Sequence, residues 1–204
     1  MLGKQELIES EIQAGKDLLQ QYYESECNFK SDINEHLPVL KEYASKCETV
    51  TELGVRWIVS TWAFLSSSAK KITSIDIVNP EDWPAIGPTS NQTSVARNIA
   101  KCCDKDYEFI LGDSLEIDIE ETDLLLLDTL HRYDQLKGEL DRHSDKVKKY
   151  LIFHDTMTYG QTGENGGEGI LKAIYEFLQD NKNWEIDSFK TNNNGLCILK
   201  KKNV

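Results

Sequence analysis

Short apolar runs alternate with amphipathic stretches from residue 48 onward, and this alternation restricts the fold of the 204-residue chain more than any other feature. The apolar runs predict strands at 48–53, 72–77, 107–111, 123–128 and 149–155, with two more at 184–190 and 195–200. Helical spacing of apolar residues predicts helices at 57–67, 91–103, 131–146 and 168–181. Strands and helices in alternation form a mainly parallel sheet with helices on both faces, so we expect an α/β, doubly wound, Rossmann-like fold.

Two local patterns refine this prediction. Residues 123–128 are nearly all leucine, as in a central strand that is buried on both sides. The Asn-Asn-Asn-Gly sequence at 192–195 predicts the turn of a final antiparallel hairpin.

The first 46 residues predict helices that precede the α/β region. Apolar residues recur at helical spacing between charges at Leu7, Ile8, Ile12, Leu18 and Leu19. Ser31 or Asp32 suits the cap of a second helix, and Pro38 indicates a kink or a later start. We therefore expect a helical extension over 1–46 and the main domain over 47–204. The first helix packs either on that domain or on a second subunit, so a homodimer is one expectation.

The charge balance limits the partners of the chain. Lys and Arg number 23 against 35 Asp and Glu, a formal charge of −12, which disfavours nucleic acid and an anionic membrane surface. We find neither an apolar run as long as a membrane span nor the apolar core of a signal peptide. The five cysteines form no C-x-x-C pair, which predicts reduced thiols and a cytoplasmic protein.

Polar residues follow five successive predicted strands. They are Glu52 and Gly54, then Asp76, then Asp113 and Ser114, then Asp128 with His131, and finally His154 and Asp155. Ligands of doubly wound sheets bind outside the carboxyl ends of the strands. One such acid alone often caps a helix, but the five together predict a ligand site.

Gly54 and Asp76 suit a ligand that contains ribose. Gly54 allows close approach to the backbone, and an acid about 20 residues after such a glycine often binds ribose hydroxyls. Nicotinamide dinucleotides and S-adenosylmethionine both contain ribose, but the dinucleotide pyrophosphate normally needs further glycines, and the next here is Gly87. Asp113 and Ser114 suit an adenine edge, or else they cap the segment that follows them.

Five segments in this order resemble class I S-adenosylmethionine-dependent methyltransferases, near the macrocin-type sugar O-methyltransferases and the cephalosporin-hydroxylase-like proteins. The segments are ELGVRWIVSTWA (52–63), SID (74–76), LGDS (111–114), LLDTLHRYDQLK (126–137) and IFHDT (152–156). The resemblance covers about residues 30–200. It implies a seven-stranded sheet with an antiparallel last strand, and S-adenosyl-L-methionine as the cofactor.

The resemblance also implies roles for individual residues. Glu52 and Gly54 would lie near the methionine part of the cofactor, and Asp76 on its ribose. Asp113 and Ser114 would lie near adenine. Ser60 and Thr61 match the start of the first helix in this group, whose N-terminus would bind the cofactor carboxylate.

The turn between the first predicted strand and the helix that follows it departs from the family pattern at two positions. Family members commonly have glycines where this chain has Arg56 and Ile58. We expect Ile58 to crowd the cofactor unless the turn is wider here.

The acids and histidines after the fourth and fifth strands suggest the chemistry. Transfer of a methyl group to a hydroxyl requires loss of the hydroxyl proton, and His131, with an ordinary pKa of about 6.5, is the predicted base. In metal-dependent relatives the positions of Asp128, His154 and Asp155 bind a divalent cation, here Mg²⁺ or Mn²⁺. The alternative is a metal-free enzyme with His154 as a second base.

The resulting hypothesis is O-methyl transfer to a small acceptor, a sugar or glycan by resemblance. Tyr159 and Trp83 would line the acceptor pocket, and the Gly-rich segment 160–168 would be a lid or a connector. The rival hypotheses are an NAD-dependent oxidoreductase and a non-catalytic, methyltransferase-like binding module.

Overall fold

The computed structural model describes residues 4–89 and 92–202. Its strands are β1 (Thr49–Leu53), β2 (Lys71–Asp76), β3 (Asp106–Leu111), β4 (Thr122–Leu127), β5 (Val147–His154), β6 (Trp184–Lys190) and β7 (Leu196–Lys201). Its helices are α1 (Lys4–Asn28), α2 (Leu37–Ala44), α3 (Val59–Leu65), α4 (Thr93–Cys102), α5 (Tyr133–His143) and α6 (Ile170–Asp180). Short 3-10 turns cover Asn34–His36, Pro80–Asp82 and Ser144–Lys146.

In this described part of the chain the strands form one seven-stranded sheet in the order β3-β2-β1-β4-β5-β7-β6. Strands β1 to β5 pair in parallel, and β7 pairs antiparallel with both β5 and β6. The predicted fold class is therefore confirmed, including the final hairpin. The chain order reverses between β1 and β4, and such a switch point places a crevice beside the ends of these two strands.

The sheet separates two hydrophobic cores. One lies among α1 to α4 and includes Trp62 and Phe64, and the other lies against α5 and α6. Strand β4 is buried throughout, since its leucines contact both cores. This explains the continuous leucine run, because a strand covered on both faces has no polar side.

The N-terminal segment packs on the first of these cores. Leu19 and Tyr23 of α1 are buried there, while the side chains of Leu7 and Ile8 lie outside the described residues. The second helix starts late, at Leu37, with Pro38 in its first turn, where a missing N–H costs no helical hydrogen bond.

Across residues 4–89 and 92–202, none of the helices has both the length and the apolar composition needed to cross a membrane.

Candidate functional site

A cavity of about 420 Å³ lies at the carboxyl edge of the sheet, beside the switch point. The residues that follow successive strands line it together: Gly54 after β1, Asp76 at the end of β2, Asp113 and Ser114 after β3, Asp128 after β4 and Asp155 after β5. Parallel strands end at the same edge, so residues far apart in sequence meet there.

The turn after β1 is shaped by Gly54 and Asp76. Gly54 has a φ of +81°, and a Cβ placed on it would lie 2.1 Å from the carbonyl oxygen of Asp128. Asp76 Oδ2 accepts hydrogen bonds from the backbone N–H of Val55 at 2.8 Å and of Arg56 at 2.9 Å, while Oδ1 accepts from Val78 at 2.9 Å. Asp76 thus holds the turn and lines the cavity at the same time.

Ile58 does not crowd the cavity, contrary to the expectation from its position. The turn places it in a left-handed conformation with φ 57°, and its side chain is fully buried in the core around α3. Arg56 turns to Asp32 at 2.5 Å, and its guanidinium lies 4.1 Å from the centre of the Trp57 ring. Arg56 and Ile58, which stand where family members commonly have glycines, therefore do not close the cavity.

Glu52 and Thr61 do not lie where the predicted cofactor contacts require them. Both are fully buried beneath the cavity rather than among its lining residues. Glu52 accepts hydrogen bonds from Ser60 Oγ at 2.6 Å, Thr61 Oγ1 at 2.5 Å and Ser74 Oγ at 2.5 Å. Ser60 does line the cavity, but its hydroxyl is engaged with Glu52. The cluster joins β1, β2 and α3, and only Ser60 among its members reaches the cavity wall.

This cluster predicts a pH-dependent stability. Burial raises the pKa of Glu52 from 4.5 to about 7, although the three hydroxyls partly oppose the shift. Between these two pH values the folded protein keeps the proton on Glu52 and the unfolded chain loses it. We therefore expect the contribution of Glu52 to the free energy of unfolding to fall by about 3 kcal/mol as pH rises from 4.5 to 7.

Urea denaturation of wild type and Glu52→Gln between pH 4.5 and 8 would measure this effect. The variant should gain about 3 kcal/mol relative to wild type across that range, since glutamine does not titrate. Glu42→Gln, at an exposed position on α2, is the matched control and should parallel wild type. Parallel curves for Glu52→Gln would contradict the prediction.

Asp113 and Ser114 both line the cavity, and their contact with adenine stays a prediction. Asp113 also caps the segment that follows it, which was the alternative prediction, because its Oδ1 accepts a hydrogen bond from the N–H of Leu115 at 2.8 Å. Ser114 is buried and donates to Glu139 of α5 at 2.6 Å. The sequence analysis missed Glu139 and its neighbour Gln135, because spacing on a helix does not reveal which polar face turns inward.

Four titratable residues meet where β4 and β5 end. His131 Nε2 lies 3.2 Å from Asp128 Oδ1 and 2.9 Å from Asp155 Oδ2. His154 Nδ1 lies 3.2 Å from Asp128 Oδ1 and 3.5 Å from Asp155 Oδ2. Each carboxylate therefore lies between two imidazole rings.

These contacts set the charges of the cluster. Burial acts to lower the pKa of His131, but hydrogen bonds to Asp128 and Asp155 outweigh it and raise the pKa to about 10. The pKa of His154 is raised to about 10, because the same carboxylates outweigh its burial. Burial acts to raise the pKa of both aspartates, but the two histidines hold the pKa of each below its ordinary range.

The predicted role of His131 as a base does not fit this arrangement. Its Nδ1 contacts Glu164, so carboxylates face both ring nitrogens, and the ring is protonated. A protonated imidazole has no free lone pair with which to accept a proton, whereas a divalent cation held by the same carboxylates would displace the Nε2 proton and take that nitrogen as a ligand.

Glu164 is a site residue that sequence reasoning missed. Its Oε1 contacts His131 Nδ1 and accepts a hydrogen bond from the His131 N–H at 3.0 Å. The Gly-rich segment that contains it is thus fastened to His131 and lines the cavity. Tyr159 stacks on the His131 ring at 4.9 Å, and Trp83 lines the cavity. The run of glycines marked the segment, but nothing in the sequence singled out Glu164.

The donor set fits a divalent cation, with one change from the predicted ligands. Asp128, His131 and Asp155 each offer an atom within 4.8 Å of the others, and Asp155 Oδ1 is buried without a hydrogen-bond partner among the described residues. His154 is excluded from this set, because its Nε2 donates to the backbone oxygens of Asp32 and Asn193 and its Nδ1 faces Asp128. Carboxylates with one imidazole suit Mg²⁺ or Mn²⁺.

No protein-family model and no curated protein matches this sequence significantly. Solved structures do resemble the chain over almost its full length. A candidate caffeoyl-CoA O-methyltransferase from Staphylococcus aureus has a TM-score of 0.60 at 17% identity, covering 91% of each chain. An O-methyltransferase from Bacillus cereus in complex with S-adenosylhomocysteine has a TM-score of 0.57 at 13% identity, covering 93% of this chain and 91% of its own. A methyltransferase from Podospora anserina, also bound to S-adenosylhomocysteine, has a TM-score of 0.58 at 14% identity, covering 100% and 99%. The chain therefore has the Rossmann-like methyltransferase fold.

Proposed function

We propose that this chain is an S-adenosylmethionine-dependent O-methyltransferase that acts on a hydroxyl of a small acceptor. One observation supports this above the others. Residues from the ends of five parallel strands surround a single cavity, in a fold whose solved neighbours include proteins bound to S-adenosylhomocysteine.

The donor would occupy the part of the cavity between Gly54 and Ser114. Asp76 would accept hydrogen bonds from the ribose hydroxyls with lone pairs that its backbone contacts leave free. Gly54 leaves room beside the strand end where any other residue would add a side chain. When bound, S-adenosylmethionine supplies a methyl group on a sulfonium, and the protein aligns the acceptor oxygen with it.

We also propose that Asp128, His131 and Asp155 hold Mg²⁺ or Mn²⁺ beside the acceptor. The cation would lower the pKa of the acceptor hydroxyl, so that its proton could pass to solvent water without His131 as the base. Glu164 would accept a hydrogen bond from His131 Nδ1–H and so orient the ring, as carboxylates commonly do for metal-bound histidines. His154 would orient the Asp128 carboxylate through the contact between its Nδ1 and Asp128 Oδ1.

The charge of the cavity favours an uncharged or cationic acceptor. Among the described lining residues, the carboxylates are Asp32, Asp76, Asp113, Asp128, Asp155 and Glu164. Arg56 is the lining arginine, and it is paired with Asp32. Sugar and glycan hydroxyls are uncharged, and the sequence resemblance to macrocin-type enzymes supports this acceptor class.

The same charge argument predicts poor use of acyl-coenzyme A acceptors. A coenzyme A thioester brings phosphates towards a cavity that carboxylates line, and like charges repel each other. We expect a hydroxylated acyl-coenzyme A to be methylated at least about tenfold more slowly than the same hydroxylated acyl group as an uncharged amide. Mass spectrometry of product formation measures both rates, and equal rates would refute the argument.

The proposed function is tested first by donor binding. S-adenosylhomocysteine at 100 times its dissociation constant should stabilise the protein by about 2.7 kcal/mol in thermal unfolding, whereas NAD should not. Stabilisation by NAD alone would favour an oxidoreductase, and stabilisation by neither ligand would favour a non-catalytic module. Mass spectrometry of candidate sugars with the donor, with and without a chelator, then tests transfer and the cation.

A further inference from the structure

A buried polar cluster lies against the cavity beside Ser114. At its centre is Glu139 of α5, which is 1% exposed. Glu139 Oε1 accepts hydrogen bonds from Ser114 Oγ at 2.6 Å, Thr129 Oγ1 at 2.6 Å and Gln135 Nε2 at 2.9 Å. The cluster thus connects the end of β3, the end of β4 and the first turns of α5.

These contacts determine which way the amide of Gln135 points. The NH₂ group donates to Glu139 Oε1 and also to Ser114 Oγ at 3.1 Å. Turning the amide over would place its oxygen against Glu139 Oε1, an atom that only accepts hydrogen bonds here. The carbonyl oxygen Oε1 of Gln135 is therefore directed away from Glu139.

That carbonyl oxygen has no protein partner among the described residues, on a residue that lines the cavity and is 7% exposed. Gln135 is one of the lining residues, and the described residues offer its Oε1 no hydrogen-bond donor. Nor is Oε1 among the fully buried oxygens that lack a partner. A fixed acceptor without a protein donor thus lies beside the strand end where the adenine edge is expected.

We infer that Gln135 is a specificity-determining residue that accepts a hydrogen bond from the exocyclic amino group of the donor's adenine. This inference rests on the proposed function, since it assumes that the cavity binds an adenosyl ligand. A 6-amino purine presents a donor to Gln135 Oε1, whereas a 6-oxo purine presents a second acceptor and repels it. A site built around one hydrogen bond rejects the analogue that lacks it, because the partner atom is left unpaired.

The test is calorimetric binding of three ligands to the wild-type protein: S-adenosylhomocysteine, S-inosylhomocysteine and the analogue with hydrogen at purine position 6. We expect the affinity to fall about tenfold without the amino group and about 100-fold with the oxo group. Gln135→Met keeps the length of the side chain but removes the acceptor. It should reduce the preference for adenosyl over inosyl to threefold or less.

Thr129→Val is the matched control, because it removes a different hydrogen bond from the same cluster and leaves Gln135 in place. Its preference for adenosyl over inosyl should stay near the wild-type value.

An unchanged preference in Gln135→Met would overturn the inference and indicate that Asp113 recognises the amine instead. If Gln135→Met does not fold, the affinities of the wild-type protein decide. Binding of S-inosylhomocysteine that is as tight as, or tighter than, binding of the 6-hydrogen analogue would contradict a hydrogen-bond acceptor at this position. Absence of binding by S-adenosylhomocysteine would instead refute the proposed function.

Discussion

Gly54→Ala is expected to abolish binding of S-adenosylhomocysteine and to destabilise the fold. The new Cβ would lie 2.1 Å from the carbonyl oxygen of Asp128 and 2.6 Å from its carbonyl carbon. Those atoms belong to the backbone that follows β4, which pairs directly with β1, so the clash moves the cavity wall. The left-handed φ of +81° adds about 1 kcal/mol or more for a residue with a Cβ. Calorimetric affinity and the midpoint of thermal unfolding measure the two effects.

Gly166→Ala separates backbone strain from the clash. Gly166 has nearly the same φ, +79°, but a Cβ there meets nothing within 4 Å. This control should lose only about 1 kcal/mol of stability and should bind S-adenosylhomocysteine with nearly the wild-type affinity. Wild-type affinity in Gly54→Ala would show that the donor does not approach this turn.

Asp155→Asn is expected to lower the affinity for Mn²⁺ by at least about 100-fold, with a matching loss of turnover. Residues that only support metal ligands already contribute about 10–100-fold, so loss of a direct carboxylate should cost at least as much. Asparagine keeps the shape of the side chain and tolerates the φ of 59° at this position. Direct titration of the purified protein with Mn²⁺ measures the affinity independently of any reaction.

Asp141→Asn is the control for Asp155→Asn, because it removes one negative charge from an exposed position on α5. It should leave Mn²⁺ affinity unchanged. Equal Mn²⁺ binding by Asp155→Asn and wild type, or turnover that resists a chelator, would eliminate the metal site. The metal-free alternative, with Asp128 against the donor or the acceptor, would then explain the activity.

The fold was predictable because it follows from local patterns. Apolar runs of strand length alternate with helical spacing, and a leucine run such as 123–128 fits a strand covered on both faces. The meeting of Asp76, Asp113 and Asp128 was predictable for a related reason. All parallel strands of one sheet end at the same edge, so residues after successive strands lie along that one edge.

The environment of each side chain was not predictable, because it depends on contacts between segments that are distant in sequence. The pattern around Glu52 indicates a strand end, but only packing against Ser60 and Ser74 places its carboxyl beneath the cavity. His131 resembles an ordinary base until Asp155 and Glu164 approach it from other elements.

The positions and ends of the strands therefore follow from the chain's own hydrophobic pattern, which is a property of neighbouring residues. Protonation states, the choice between His131 and His154 as a ligand, and the direction of the Gln135 amide depend on distances of a few ångströms across the fold. Electrostatic and hydrogen-bond energies change steeply over such distances, so only the assembled structure decides them.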